Sequence, residues 1–301
     1  MKLAHRFRSV SGGTVQDCHF LADRWDGKSW MEDHAESWVG QVVDGQLFTL
    51  LGQVGWLTSL WRSPSGRVYV SEGSYRRGGV HINRSDDPLH PAWEFHPLPC
   101  VVSGVFGLDD DFVLVWGPLV QKRAEAFFRW DGKRWHELPC PGEVFAVHGL
   151  SPELIYAVGT DGLIARWDGA RWHTVPSFTE AAMTAVHVVS EDEMYACSDA
   201  GALEGSIYGW SEVAESPCML MNVAKYRGQV WLAGGIDGLL TLKGNQIEPV
   251  DPSLKAARLD TRQRLVVAAP ECLADSEEGK EFRRIPLDQF IARLEGVPKK
   301  W

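Results

Sequence analysis

The feature that most constrains this chain is that it repeats itself. Residues 127 to 141, FFRWDGKRWHELPCP, align with 164 to 177, IARWDGARWHTVPS, and with 21 to 32, LADRWDGKSWME. The upstream halves align too: VFAVHGLSPELIYAVGTDG (144 to 162) matches MTAVHVVSEDEMYACSDAG (183 to 201) and, more loosely, LMNVAKYRGQVWLAGGIDG (220 to 238). Self-similarity at a period of a few tens of residues marks a repeat architecture, in which each unit is one supersecondary motif and neighbours bury one another.

Each unit reads as four short strands. An apolar run such as Val144 to Val147 comes first, then a polar turn, then a run such as Leu154 to Val158 that is rich in strand formers and ends at Gly. The third strand ends in Trp-Asp-Gly, and the fourth begins at Trp and ends near Pro. Asp-Gly between strand-forming runs signals a type I′ hairpin, whose two central residues both take positive φ, so the third and fourth strands are expected to pair. First strands fall near residues 56, 101, 143, 181, 219 and 255, and residues 1–55 hold further short apolar segments for another blade or for strands that complete the last one. The expectation is an all-β fold: one β-propeller domain of four-stranded antiparallel blades over residues 1–301, seven blades favoured over six.

The blades resemble a broad class of bacterial propellers that read V-W-G…V-x-A-V-G…G-x-I-x-R-W-D-G…W, over residues 20 to 35 and 100 to 245. They are also loosely similar to the Asp-box turn of sialidase-type propellers, S-x-D-x-G-x-x-W. Here, though, Asp131 and Gly132 are adjacent, and Arg129 stands where that motif has Ser. The resemblance implies a fold and no particular reaction. The paired tryptophans that bracket these turns, Trp25 and Trp30, Trp130 and Trp135, Trp167 and Trp172, recur with the blade, as packing residues do, and a sugar-binding platform is the competing use.

Charge and cysteines remove several functions. The net charge of -10 opposes a grip on nucleic-acid phosphates, which needs clustered Lys and Arg. Met1 to Arg8 carries charges where a secretion signal has an apolar run, and no stretch is long and apolar enough for a membrane helix, so a cytoplasmic protein is expected. Six cysteines, 18, 100, 140, 197, 218 and 272, form no C-x-x-C pair and have no disulfide-like density. Pro99-Cys100, Pro139-Cys140 and Pro217-Cys218 recur as small buried residues in connections would. No cofactor and no metal site is expected.

Loops between second and third strands carry the candidates. They are Gly73 to Gly79, Gly117 to Glu125, Gly159 to Gly162, Ser198 to Gly201, Gly235 to Gly238 and Pro270 to Asp275. The first two bring Tyr75, Arg76, Arg77, Lys122 and Arg123; the others bring Asp161, Asp199, Asp237 and Asp275. Arg and Tyr are frequent carriers of binding energy, so a partner-binding site of Tyr75, Arg76, Arg77, Lys122 and Arg123 with Asp161, Asp199 and Asp237 is expected. Asp161 and Asp237 also read as turn residues beside Gly. His148 and His187 occupy equivalent positions on first strands, in a column with Trp61, Phe106, Ala224 and Leu259 that holds no further metal ligand; they read as packed, hydrogen-bonded histidines, as do the repeated His136 and His173.

No nucleophile elbow, phosphate loop or zinc motif occurs. The leading reading is therefore a non-catalytic propeller that binds a protein partner, in a narrower form an immunity or antitoxin protein that covers a toxin's active site. A hydrolase or lyase acting on a sugar or lactone through Asp161, Asp199 and Asp237 is the alternative from another class. A scaffold or assembly factor is a third, and the oligomeric state is open.

Overall fold

A computed structural model describes residues 4–28, 34–74 and 78–296. Seven four-stranded antiparallel sheets, each made of four consecutive strands, are the blades of a seven-bladed β-propeller. Blade 1 holds β1 (Ala4–Thr14), β2 (Asp17–Trp25), β3 (Ala35–Val43) and β4 (Gln46–Val54). Blade 2 holds β5 (Leu57–Arg62), β6 (Val68–Glu72), β7 (Gly79–Asn83) and β8 (Trp93–Pro97). Blade 3 holds β9 (Gly104–Asp109), β10 (Phe112–Pro118), β11 (Glu125–Trp130) and β12 (Trp135–Leu138). Blade 4 holds β13 (Val144–Ser151), β14 (Leu154–Gly159), β15 (Ile164–Trp167) and β16 (Trp172–Thr174). Blade 5 holds β17 (Met183–Val188), β18 (Met194–Ser198), β19 (Gly201–Ser206) and β20 (Gly209–Glu215). Blade 6 holds β21 (Asn222–Tyr226), β22 (Gln229–Ala233), β23 (Leu239–Lys243) and β24 (Gln246–Asp251). Blade 7 holds β25 (Arg258–Asp260), β26 (Leu265–Ala269), β27 (Cys272–Ser276) and β28 (Arg283–Pro286), followed by the helix α1 (Asp288–Glu295).

The N-terminal residues thus form a blade of their own rather than completing the last one. Middle strands are the best-buried elements: the second strands β6, β14, β18 and β26 and the third strands β7 and β27 are buried at every residue, whereas the fourth strands β12 and β16 are buried at none. Runs of Val, Ile, Ala and Tyr suit the former, because both faces of a middle strand meet neighbouring sheets.

Contacts group the chain into two units. Unit 2 comprises Phe106–Gly117 and Ala124–Leu259; Pro118–Arg123 belong with blades 1, 2 and 7 in unit 1. In unit 1, blade 7 packs on blade 1 through a shared cluster of Phe7, Phe20, Trp38, Val266 and Leu273, closed by Phe290 and Leu294 of α1. The Phe290 ring stacks on Phe20 at 5.6 Å and meets Phe7 edge-on at 5.9 Å.

Four expectations need correction. The Trp-Asp-Gly turns are not type I′: their glycines, Gly27, Gly132 and Gly169, take positive φ, and Asp26, Asp131 and Asp168 do not. The Asp131 carboxylate instead accepts from the Lys133 and Arg134 amides, and Asp168 does the same for Ala170 and Arg171, which makes a wider, side-chain-capped loop. The expected strand pairing holds, with Trp130 opposite Trp135 and Trp167 opposite Trp172. Type I′ geometry occurs at Asp44-Gly45, Asp161-Gly162 and Arg227-Gly228.

The N-terminal copy of the motif joins β2 to β3 rather than a third strand to a fourth, because β1 and β2 precede it. Trp30 of that copy lies outside the described residues. Finally, Asp275 is not on a loop. It lies in β27, fully buried, and the turn between β26 and β27 is only Pro270-Glu271. Of the Pro-Cys cysteines, Cys100 is buried, while Cys140 and Cys218 are half-buried in links.

Because Phe290 is 5% exposed against two phenylalanine rings, Phe290→Ala is expected to cost roughly 3 kcal/mol. A urea titration checks this; a midpoint unchanged from the parent would show that α1 does not secure the packing of blade 7 on blade 1.

Candidate functional site

Within each antiparallel blade the second strand ends, and the third begins, at the end where the first strand starts. The loops joining those strands and the links arriving from the preceding blade therefore share that end. In unit 2 they form a continuous hydrogen-bonded belt. Gly162 N–H donates to Ala181 O, Asp199 N–H to Ala182 O, Leu220 N–H to Ser198 O, Met221 N–H to Ala233 O, and Gly235 N–H to Ala256 O, all between 2.7 and 3.3 Å. Gly162 is required here. Its φ is +67°, and a Cβ on it would lie 1.9 Å from Thr179 O.

A hydroxyl device ties the links down. Thr184 occupies a bulge at the start of β17, and its Oγ1 donates to Leu220 O at 2.6 Å; in unit 1, Thr58 does the same for Val102 O at 2.6 Å. In blade 4 the bulge position is Phe145, which has no hydroxyl and is 43% exposed. Phe178, in the link between blades 4 and 5, is 88% exposed with φ +59°. That left-handed conformation costs a residue with a side chain about 1–2 kcal/mol. Met219, in the next link, and Ile236, on the following loop, are 57% and 84% exposed. Of the eight large apolar side chains exposed among the described residues, four therefore lie on this one end of blades 4 to 6. Scattered exposed apolar residues need no explanation, but half of them at one end of three consecutive blades is not a scatter.

Asp161, Asp199 and Asp237 lie on this belt, all exposed. Asp161 is the first central residue of a tight turn, φ +53°, closed by Leu163 N–H to Thr160 O; Asp237 sits in a single 3₁₀ turn, Gly235–Asp237. Lys122 and Arg123 are exposed on the 119–124 loop of unit 1, which is held to the preceding link by Val101 N–H to Pro118 O and Val120 N–H to Pro99 O. Tyr75, Arg76 and Arg77 lie outside the described residues. Sequence reasoning, drawn to charge, passed over Phe178, Met219 and Ile236. Their signal was present: each is a large apolar residue among Gly, Pro, Ser and Cys, in a segment without strand alternation.

The repeated aromatics pack. Trp130 and Trp167 are 1% and 7% exposed, and their partners Trp135 and Trp172 lie against them with ring centroids 5.3 and 5.4 Å away. Trp172 Nε1 also donates to Pro139 O of the preceding link. His136 and His173 are paired rather than packed: their Nε2 atoms lie 2.6 and 2.5 Å from Asp131 and Asp168. The His136 bond, with two backbone amides, holds Asp131 well below the usual carboxylate range; at Asp168 the Arg171 amide comes first and His173 second.

The His148 and His187 rings lie 4.6 Å apart, tilted by 42° to one another, with Phe106 5.3 Å from His148. Val188 N–H donates to His148 Nδ1 at 3.1 Å, which places that ring's proton on Nε2. Burial lowers His148 to about 3, with the neighbouring His187 adding to it, and burial lowers His187 to about 4. No group of three or more potential ligands is placed to hold a metal among the described residues, and no helix there is long and apolar enough to cross a membrane.

No protein-family model and no curated protein matches the chain. Solved structures do. YCF48 bound to a D1 peptide superimposes with a TM-score of 0.61 at 13% identity, covering 91% of this chain and 89% of that one. The WD40 propeller domain of Doa1 gives 0.61 at 11%, covering 92% and 99%. A catalytically inactive virginiamycin B lyase from Staphylococcus aureus, with quinupristin, gives 0.60 at 11%, covering 95% and 97%. The likeness is one of fold.

Histidines held neutral in the native state but free to protonate when unfolded make stability depend on pH. Between the lowered native values and an unfolded value near 6.5, the unfolded chain binds more protons, so stability is full above about pH 6.5 and falls as pH drops toward 4. Replacing both His148 and His187 with Phe is expected to flatten this fall, as read from urea midpoints between pH 7 and 4. An unaltered slope would show that these rings are not what couples stability to pH.

Proposed function

We propose that this propeller binds a protein partner through the loop-and-link end of blades 4 to 6. The observation that carries the reading is Phe178, an aromatic ring 88% exposed on a backbone held at φ +59°. Burying that ring inside the fold would remove on the order of 200 Å² from water, so leaving it exposed on a strained residue is a standing cost that a partner recovers. Met219 and Ile236 extend the same surface. Large side chains held on a rigid frame lose little entropy on binding, and the hydrogen-bonded belt is such a frame. The YCF48 structure, which carries a peptide on the same fold, supports a binding role.

The carboxylates named for a hydrolase or lyase, Asp161, Asp199 and Asp237, are all exposed on turns. Such a setting leaves them open to bulk water rather than inside an enclosing cleft. The immunity or antitoxin reading is the narrower form of this proposal. It adds the expectation that co-expression protects a host from a toxin encoded beside this chain.

Affinity capture from the source organism's lysate tests the proposal. The parent chain is expected to retain a stoichiometric protein that a Phe178→Ser, Ile236→Ser double variant loses while keeping its melting curve. Equal capture by both chains would place binding elsewhere, and an empty capture by the parent would count against a binding role.

A further inference from the structure

The segments that carry the apolar side chains also carry charge of one sign. Glu143, Asp161, Glu180, Asp199 and Asp237 are all exposed along 141–143, 160–163, 175–182, 199–200 and 234–238; these segments and the link 216–221 contain no Lys or Arg. None of the five forms an ion pair among the described residues. Lys255 and Arg258 stand at the border, in and after the next link, and Arg258 is turned onto the Met221 and Ala257 carbonyls. At the other border Glu125 is raised, first by burial and then by the charge of Glu143.

We infer that the partner is received as a peptide segment carrying basic residues on either side of an apolar anchor. The inference rests on the binding reading above and gives the partner its chemistry. Phe145, Phe178, Met219 and Ile236 supply surface that an apolar side chain covers, and covering it excludes water from the centre of the contact. The unpaired carboxylates around them repel one another and are matched by Lys and Arg at the rim, which speeds encounter and rejects acidic segments. An acidic or purely apolar segment would leave five like charges uncompensated beside the contact. The Asp131–His136 and Asp168–His173 pairs at the opposite end of blades 3 and 4 show the contrast, since each carboxylate there has a side-chain partner within the chain.

The test uses the full-length chain and a displayed library of short random peptides, followed by titration of the enriched sequences. Enrichment of peptides with Lys or Arg flanking Leu, Phe or Trp is expected. Their affinity is expected to fall roughly 30-fold in a Phe178→Ser, Ile236→Ser variant, and to fall steeply with added salt. The side chains replaced in a Glu143→Lys, Glu180→Lys, Asp199→Lys variant make no hydrogen bond among the described residues; the variant is checked for folding by its melting curve and is expected to lose the basic peptides. Enrichment of neutral or acidic peptides, no enrichment, or affinities indifferent to salt and charge reversal would overturn the inference. If the lysate partner is still lost in the Phe178→Ser, Ile236→Ser variant but ignores salt and charge reversal, the binding reading stands and the basic peptide falls.

Discussion

A buried carboxylate, Asp275, ties the two ends of the chain together. No sheet borrows a strand from another, so blades 1 and 7 meet through side chains and single backbone contacts alone. Asp275 Oδ2 accepts from Val15 N–H at 2.8 Å and from Arg283 Nη2 at 2.6 Å, with Arg264 3.7 Å from Oδ1. Asp260 accepts from Gly12 N–H, and Arg264 N–H donates to Gly13 O, so the tip of the first hairpin is pinned at several points. A buried charge is tolerable only when it is paired and fully hydrogen-bonded, and each partner here comes from a different strand or turn. The apolar cluster of Phe7, Phe20 and Phe290 supplies the bulk of the contact; Asp275 fixes its register.

In unit 2 the same economy of contact works between consecutive blades. Trp172 reaches back to the Pro139 carbonyl and Thr184 reaches forward to the Leu220 carbonyl, so those two links are each gripped by a neighbouring blade, while the link 175–182 is held by the Gly162 and Asp199 amides. Links held in this way do not need their own side chains for packing, which frees Phe178 and Met219 to face outward. Phe145 makes the trade visible at one position: where blade 5 has a threonine that holds a link, blade 4 has a ring in solvent. The exposed apolar side chains Phe178 and Met219 are thus carried by connections, and the strands supply rigidity.

Most of the architecture was legible because repetition states it several times. Aligning the Trp-Asp-Gly copies of blades 3 and 4 placed their third and fourth strands and the pairing between them, and the spacing of the first strands favoured seven blades. Asp-Gly was misread as a type I′ turn because the local code is shared: the carboxylate of Asp131 can cap two amides, and with Trp130 opposite Trp135 that wider loop wins. Asp275 was taken for a loop residue because a strand that buries an acid looks polar until its arginines are located, and Arg264 and Arg283 are distant in sequence from any repeat signal. The candidate site was half legible. Asp161, Asp199 and Asp237 stand where expected, but exposure is a property of the folded chain, so the apolar residues between them emerged only with the structure.

The loop-and-link end of blades 4 to 6 is where we propose that a partner meets this chain. Amide hydrogen exchange of the chain alone and with its captured partner reads this directly. Protection confined to 175–182, 216–221 and 234–238, with the Trp-Asp-Gly turns at 131–134 and 168–171 unchanged, is the predicted result. Protection at those turns, with the three segments exchanging as fast as in the free chain, would contradict the account.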